Sequence, residues 1–435
     1  MMKYLKLLVL SLIGVVLFFV PIDGKTVTIT LITNLLKGLL GNGVRYISII
    51  SVTVLAAVVI LAEVFHVSWA EKYLGNTGKA KLGFFLASCA VVWLVLLKIG
   101  PSVLQEEAIG PRVLNLASNV FMTIAVAGFA VIFLLQSGIV EFISVLVEPI
   151  MRPLFHLPGE AAVNVVSSFV SSASVGVYFT EQYYRNDTYT LKEAMDVAMN
   201  FSVISVGYMA VLVSLTGIES MYGVVIASAF ICVLIMGMIM IRIPPFSHYP
   251  DIYADGRKQT ESDIRVEKLG AGKRFEKALE SGCSKAESFH LKNLGRSFLN
   301  AIRFAQTITG VMIACVTIVL ILVNHTQLFQ YLGMLFVPYL KLLGVPEAVK
   351  TALSVVLEFV EVSLPSISAA SYNLPQASMF FVVLLSILQV IFMTEAGNAM
   401  LSSSLPIRFI DLVIVFMART VIAMPMAALV MHMIF

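Results

Sequence analysis

Apolar runs of about 20 residues recur along most of this chain, and one such run crosses the hydrocarbon layer of a bilayer as a helix. A helix is also the one open-ended structure that satisfies its own backbone groups in lipid. Composition agrees: of 435 residues, 59% are hydrophobic and 13% are charged, whereas soluble domains carry about 25% charged residues. Mean hydropathy is +0.94. These values exclude an ordinary soluble protein, and they exclude disorder, which needs low hydrophobicity and high charge. A net charge of +3 gives no sign of nucleic-acid binding. The four cysteines (Cys89, Cys232, Cys283, Cys315) have no metal-ligand spacing and read as unpaired thiols.

The pattern predicts spans at 4–22, 46–65, 82–100 and 114–136. The run 4–22 follows Lys3 but offers no small-residue cleavage site at Phe18-Phe19-Val20-Pro21-Ile22-Asp23, so it reads as a retained span. Residues 26–40 mix apolar and polar positions and read as interfacial. Residues 138–155 are amphipathic, with Pro149 and Pro153 inside. Residues 159–184 are apolar around a serine-rich middle, Ser167-Ser168-Phe169-Val170-Ser171-Ser172-Ala173-Ser174-Val175-Gly176, which reads as the tip of a re-entrant hairpin. Spans at 191–216 and 221–241 follow. The long polar segment is 244–295, with a surface helix expected at 273–294. After it come a span at 299–323, an amphipathic stretch at 327–343, a broken apolar stretch at 346–372, and spans at 376–395 and 406–433.

With the N-terminus inside and both broken stretches returning to their own side, 21 of the 29 basic residues fall inside and seven outside, with Arg419 within a span. This follows the positive-inside rule. Without the long polar segment the split is nine to seven.

Two copies of one plan follow residue 112: a span, an amphipathic helix, a broken hairpin and two spans. Pro149 precedes Pro158 by nine residues, and Pro338 precedes Pro346 by eight. Aligning Glu160 with Glu347 sets Ser171 opposite Glu358 and Ser174 opposite Glu361. Three full spans per copy reverse the second copy relative to the first. Inverted repeats of this kind build secondary transporters, whose sites lie at broken helices near the midplane. The expected organisation is an N-terminal scaffold of three spans at 1–112, a first repeat at 113–243 with its hairpin at 159–184, a cytoplasmic loop at 244–295, and a second repeat at 296–435 with its hairpin at 346–372. The expected fold is an all-α polytopic membrane protein with two inverted-topology repeats.

Charged side chains at bilayer depth cost about 2.5–3.5 kcal/mol on insertion scales, so each one in a span needs a reason. Glu358 and Glu361 are three apart before Ser363-Leu364-Pro365-Ser366 and share a helix face. They suit a cation or a proton, or else an aqueous vestibule. Asn200 lies about 15 Å into its span, with Ser202 and Ser205 just beyond. These oxygens suit a cation or a solute; interhelical hydrogen bonding is the alternative. Asp196, nearer the surface, reads as structural, while Glu181 and Gln182 fit an interface or a site equally. Thr394-Glu395-Ala396-Gly397-Asn398 ends the penultimate span: that span is tilted or broken, or Glu395 sits at the inner surface. Arg419 neutralises a glutamate, meets an anionic solute, or pairs structurally with Asp411. There is no P-loop, no HExxH and no arguable Ser-His-Asp set, so no enzyme is indicated.

Residues 157–208, with Pro158-Gly159, the hairpin Phe169-Val170-Ser171-Ser172-Ala173-Ser174-Val175-Gly176 and Asn200-Phe201-Ser202-Val203-Ile204-Ser205-Val206, resemble the nucleoside-recognition or Gate domain. That domain occurs in spore maturation membrane proteins, in the membrane part of ferrous iron transporter B and in YjiH-like proteins. The whole chain, including Phe18-Phe19-Val20-Pro21-Ile22, is most similar to the YjiH-like group. Its architecture resembles that of concentrative nucleoside transporters, whose glutamine-threonine-glutamate hairpin motif is replaced here by Ser171–Gly176. The resemblance implies a bacterial inner-membrane protein with a transporter-like core.

The resulting expectation is secondary active transport of a nucleoside, amino acid or small peptide, coupled to sodium or protons. Solute contacts are expected from Ser171, Ser172, Ser174, Asn200, Ser202, Ser363, Ser366 and Asn398. Ion coupling is expected from Ser205, Glu358, Glu361, Glu395 and Arg419. No cofactor is expected beyond a sodium ion, and the expected assembly is a dimer or trimer. The competing expectations are a partner-dependent membrane component and a channel.

Overall fold

The computed structural model describes residues 2–19, 28–74, 79–130, 132–267, 269–289 and 292–435. Among these, the protein is helical throughout, and its one departure toward strand is an isolated bridge between Ile252 and Lys258 in the polar segment. Six helices of the described residues are long and apolar enough to cross a membrane: Gly43–Glu63, Gly110–Ala130, Leu191–Leu215, Glu219–Met240, Leu294–His325 and Phe409–Ile434. The chain is a multi-pass membrane protein. The expected span at 4–22 is a helix Met2–Phe19 whose continuation lies outside the described residues. All four cysteines are free.

The same order of elements occurs twice. Gly110–Ala130 leads through the amphipathic Ile139–Phe155 to a helical pair, Glu160–Val170 and Ala173–Arg185. Lys292–His325 leads through Leu328–Met334 and Val337–Leu342 to a second pair, Ala348–Leu357 and Leu364–Ser371. None of these paired helices exceeds 13 residues, roughly 20 Å, which is too short to span. The turn of the first pair is Ser171-Ser172, where serine hydroxyls compete with helical backbone bonding. Ser172 is extended and caps the second arm by accepting from the Val175 amide. The second turn runs from Glu358 to Ser363, and Pro365 then fixes the start of its second arm.

Both spans after the hairpins are interrupted. The stretch read as one span at 191–216 divides into Leu191–Phe201 and Val206–Leu215, with 202–205 non-helical between them. The stretch read as one span at 376–395 stops at Gln389 and resumes as Ala396–Ser402. Val390, with φ at +66°, makes the turn out of the first half. Two smaller differences concern length. The surface helix is Ala271–Glu287, and the span expected at 299–323 is the 34-residue Lys292–His325.

Gly110–Ala130 and Lys292–His325, the opening helices of the two copies, pack directly on each other. Small residues permit the approach: a Cβ at Gly128 would lie 3.1 Å from that of Ala301. The N-terminal helices Gly43–Glu63 and Lys79–Leu97 cover this pair through a cluster that includes Val52, Val92, Val113, Met312 and Val316. The helix Thr28–Leu40 lies along Gly110–Ala130 with Ile29 and Thr33 buried.

Gly237 makes room for the end of the first half-helix. A Cβ there would fall 2.1 Å from Cζ of Phe201, the last residue before the interruption. Gly237→Ala must push that ring out of a packed core, an overpacking change of about 1–3 kcal/mol. We expect a lowered melting temperature of the purified protein. Gly223→Ala, on the same helix with nothing within 4 Å of its Cβ, is expected to leave it unchanged or raised.

Candidate functional site

Four non-helical stretches converge on one cavity of about 420 Å³. The first hairpin contributes Ser171–Ala173 and the second contributes Glu361 and Val362. The first interrupted span contributes Ile204 and Ser205, and the second contributes Phe392, Thr394 and Glu395. Asn119 and Thr123 face it from Gly110–Ala130, and Thr30, Thr33, Asn34 and Lys37 from Thr28–Leu40. A pocket of this size falls in the range of small-molecule sites, about 300–1,000 Å³.

Backbone groups of each interruption bond to the hairpin of the same copy. The Ser168 hydroxyl donates to the Val203 carbonyl at 2.9 Å. The amides of Met393 and Thr394 donate to the carbonyls of Phe359 and Val360 at 2.8 and 3.1 Å. Each hairpin thus holds its own interrupted span, as buried backbone requires.

Side chains then tie each interruption to the other copy's hairpin. Glu395 Oε1 accepts from the Ser174 amide at 3.0 Å and from its hydroxyl at 2.8 Å. That carboxylate sits at the N-terminus of Ala173–Arg185, where helix dipoles favour negative charge. In the reciprocal position, the Tyr208 hydroxyl donates to Glu361 Oε1 at 3.2 Å. Glu361 also accepts from Arg112 at 3.1 Å, from the Ser363 amide at 3.0 Å, and from the Ser363 hydroxyl. Its charge is therefore fully engaged in the wall.

A second polar cluster surrounds Arg419, which is fully buried. Its Nε donates to the Leu388 and Gln389 carbonyls, each at 3.1 Å, and its guanidinium reaches Asn200 Oδ1. The carbonyls are the unpaired C-terminal groups of the half-helix Gln376–Gln389, so Arg419 caps that helix with charge of the favourable sign. Asn200 in turn donates to the buried Asp196. Asp411 does not pair with Arg419; it bonds Arg408 at 2.9 Å. Glu358 is fully buried, it interacts electrostatically with Arg419, and neither of its oxygens has a hydrogen-bond partner among the described residues. Such a carboxylate is suited to gaining or losing a proton or a cation.

The expected residues therefore separate into three groups. Ser171, Ser172, Ser205, Glu361 and Glu395 reach the cavity, with Ser174 and Ser363 bonded to the two glutamates. Asn200, Arg419 and Glu358 form the cluster just described. The others face neither. Ser202 is buried near Gly176, a Cβ on which would lie 3.5 Å from its hydroxyl. Asn398 donates to the Met393 carbonyl inside the second interruption. Ser366 is buried with its hydroxyl unpartnered among the described residues. The span before Glu395 is broken, and Glu395 is half-buried at the cavity. Residues that the sequence reading passed over are Arg112, Tyr208, Asn119, Thr123 and the polar face of Thr28–Leu40. The last had a visible signal: Thr30, Thr33, Asn34 and Lys37 recur at helical spacing along one face.

A family model described as nucleoside recognition, Gate, matches residues 117–219, which contain the first hairpin and the first interruption. A protein of Alkalihalophilus pseudofirmus, described only as uncharacterized, is 30% identical over 445 residues, covering 99% of this chain and 95% of that protein. Among solved structures, the concentrative nucleoside transporter CNTnw is similar in two states. A double variant in an outward-facing state shows 14% identity and a TM-score of 0.44, over 99% of this chain and 97% of that one. An inward-facing substrate-bound state shows 13% identity and a TM-score of 0.37, over 99% of each chain. The chain is a membrane protein in one family with the A. pseudofirmus protein, and its residues 117–219 match the nucleoside-recognition (Gate) model.

Proposed function

We propose that this protein is a secondary active transporter of a small polar solute, coupled to sodium or protons. The observation that carries the reading is the convergence of both hairpin tips and both interruptions on one cavity. Discontinuous helices at a repeat interface are the usual setting for solute and coupling-ion sites in such transporters. Within a copy, hairpin and interruption are joined by bonds to backbone carbonyls. Across copies, the ties at the cavity are hydrogen bonds of Glu395 and Glu361. Side-chain ties of that kind can be exchanged for bonds to a solute as the two copies move past one another. Glu358 and Glu395 are the candidate ion or proton carriers. The Gate description brings nucleosides in as one solute class, beside amino acids and small peptides.

The test is uptake into proteoliposomes under an imposed sodium or proton gradient, with radiolabelled nucleosides, amino acids and dipeptides. Accumulation above equilibrium for one class is expected. Equilibration alone would indicate a channel, and no movement of any solute would indicate a partner-dependent component; either overturns the proposal. Glu395→Gln is expected to reduce accumulation at least tenfold with the protein still folded.

Arg419→Gln should behave differently. It removes the charged donor from the buried carbonyls of Leu388 and Gln389, and a buried polar group left unsatisfied costs about 1–3 kcal/mol. Size-exclusion profiles in detergent should show aggregation or a markedly lower melting temperature for Arg419→Gln, and a near-native profile for Glu395→Gln.

A further inference from the structure

The two carboxylates on the cavity wall are in different conditions. Glu361 is bonded to Arg112, Tyr208 and Ser363, so its charge is already answered. Glu395 commits one oxygen to Ser174, and its other oxygen makes no hydrogen bond among the described residues. Lys37 reaches the same cavity from Thr28–Leu40, and its one hydrogen bond among the described residues goes to the Thr123 hydroxyl at 3.3 Å. Lys37 is partly desolvated and feels the charge of Glu395, and among the described residues no ion pair joins the two. Two opposite charges therefore line one cavity without contact, and each has bonding capacity left over.

Lys37 and Glu395 are half-buried, and a partly desolvated charge that is not fully paired favours a complementary partner, so these two bear on what can occupy the space between them. A solute with no charge leaves both unanswered. A simple anion or cation answers one and leaves an excess of the other sign. A molecule carrying one of each answers both and adds no net charge to the cavity. We propose that the cavity takes a small zwitterion of the amino-acid or dipeptide class, its carboxylate on Lys37 and its ammonium on the free oxygen of Glu395. The proposal rests on the reading of this cavity as the solute site, and it gives the N-terminal helix Thr28–Leu40 a direct part in recognition.

The test uses the full-length protein in detergent. Thermal shift and calorimetry are run with the standard amino acids and their dipeptides. The tightest binder is then compared with its N-acetyl derivative, its methyl ester and a panel of nucleosides. We expect the zwitterion to bind, with both capped derivatives at least tenfold weaker. Lys37→Gln should lose the preference for the free acid over the ester, and Lys37→Arg should keep it. If Lys37→Gln does not fold, the derivative series on the native protein decides alone. Binding of a nucleoside or a capped derivative as tight as that of the zwitterion overturns the proposal, as does the absence of zwitterion binding. Accumulation of a nucleoside in proteoliposomes without zwitterion binding would overturn this solute class and leave transport standing. Absence of accumulation of any solute would overturn transport itself.

Discussion

Backbone amides and carbonyls that leave a helix inside an apolar shell must find partners there, and the centre of this protein is organised by that requirement. Four stretches leave their helices: two hairpin turns and two interruptions. Each hairpin supplies partners to its neighbouring interruption through Ser168, Phe359 and Val360. Arg419 takes up the exposed end of the half-helix Gln376–Gln389. Ser168 and Arg419 are buried outside the cavity lining, and the polar atoms that do line it come from the same four stretches, at Ser171, Ser172, Ser205, Glu361, Thr394 and Glu395.

The reciprocity of the two copies follows from this packing. Glu395, in the second interruption, meets the first hairpin, and Tyr208, just past the first interruption, meets the second. Yet the chemistry on the two sides is unequal. The first tip offers serine hydroxyls and a helix N-terminus, whereas the second offers carboxylates. An arrangement that is similar in backbone and different in charge can hold a solute with distinguishable ends. Lys37 adds a third party from outside the repeats, carried by a helix that lies on the opening span of the first copy.

Much of this was legible in the sequence because membrane depth makes polar residues conspicuous. The serine run 167–174, the pair Glu358 and Glu361, and the Asn200–Ser205 stretch all mark non-helical backbone in the structure. The second interruption was harder to see. Val390-Ile391-Phe392-Met393 is fully apolar and continues the span pattern, and the turn at Val390 depends on tertiary partners that no local pattern encodes. The capping role of Arg419 was hidden for the same reason, since its carbonyl partners lie about 30 positions away. Residues 26–40 mix apolar and polar positions, and that mixture does not reveal that Thr30, Thr33, Asn34 and Lys37 line a cavity with the hairpin tips, because the partners come from elsewhere in the chain.

The central claim is that the cavity opens in turn to the two sides of the membrane. Its most direct test places single cysteines at the two hairpin tips, Ser172→Cys and Val362→Cys, in a background with the four native cysteines replaced. Reactivity toward a membrane-impermeant thiol reagent is then measured from each face of oriented vesicles, with and without solute. The account predicts that both positions react from either face, and that solute changes the two rates in opposite senses. Reaction from one face alone, unmoved by any solute or ion gradient, would contradict it.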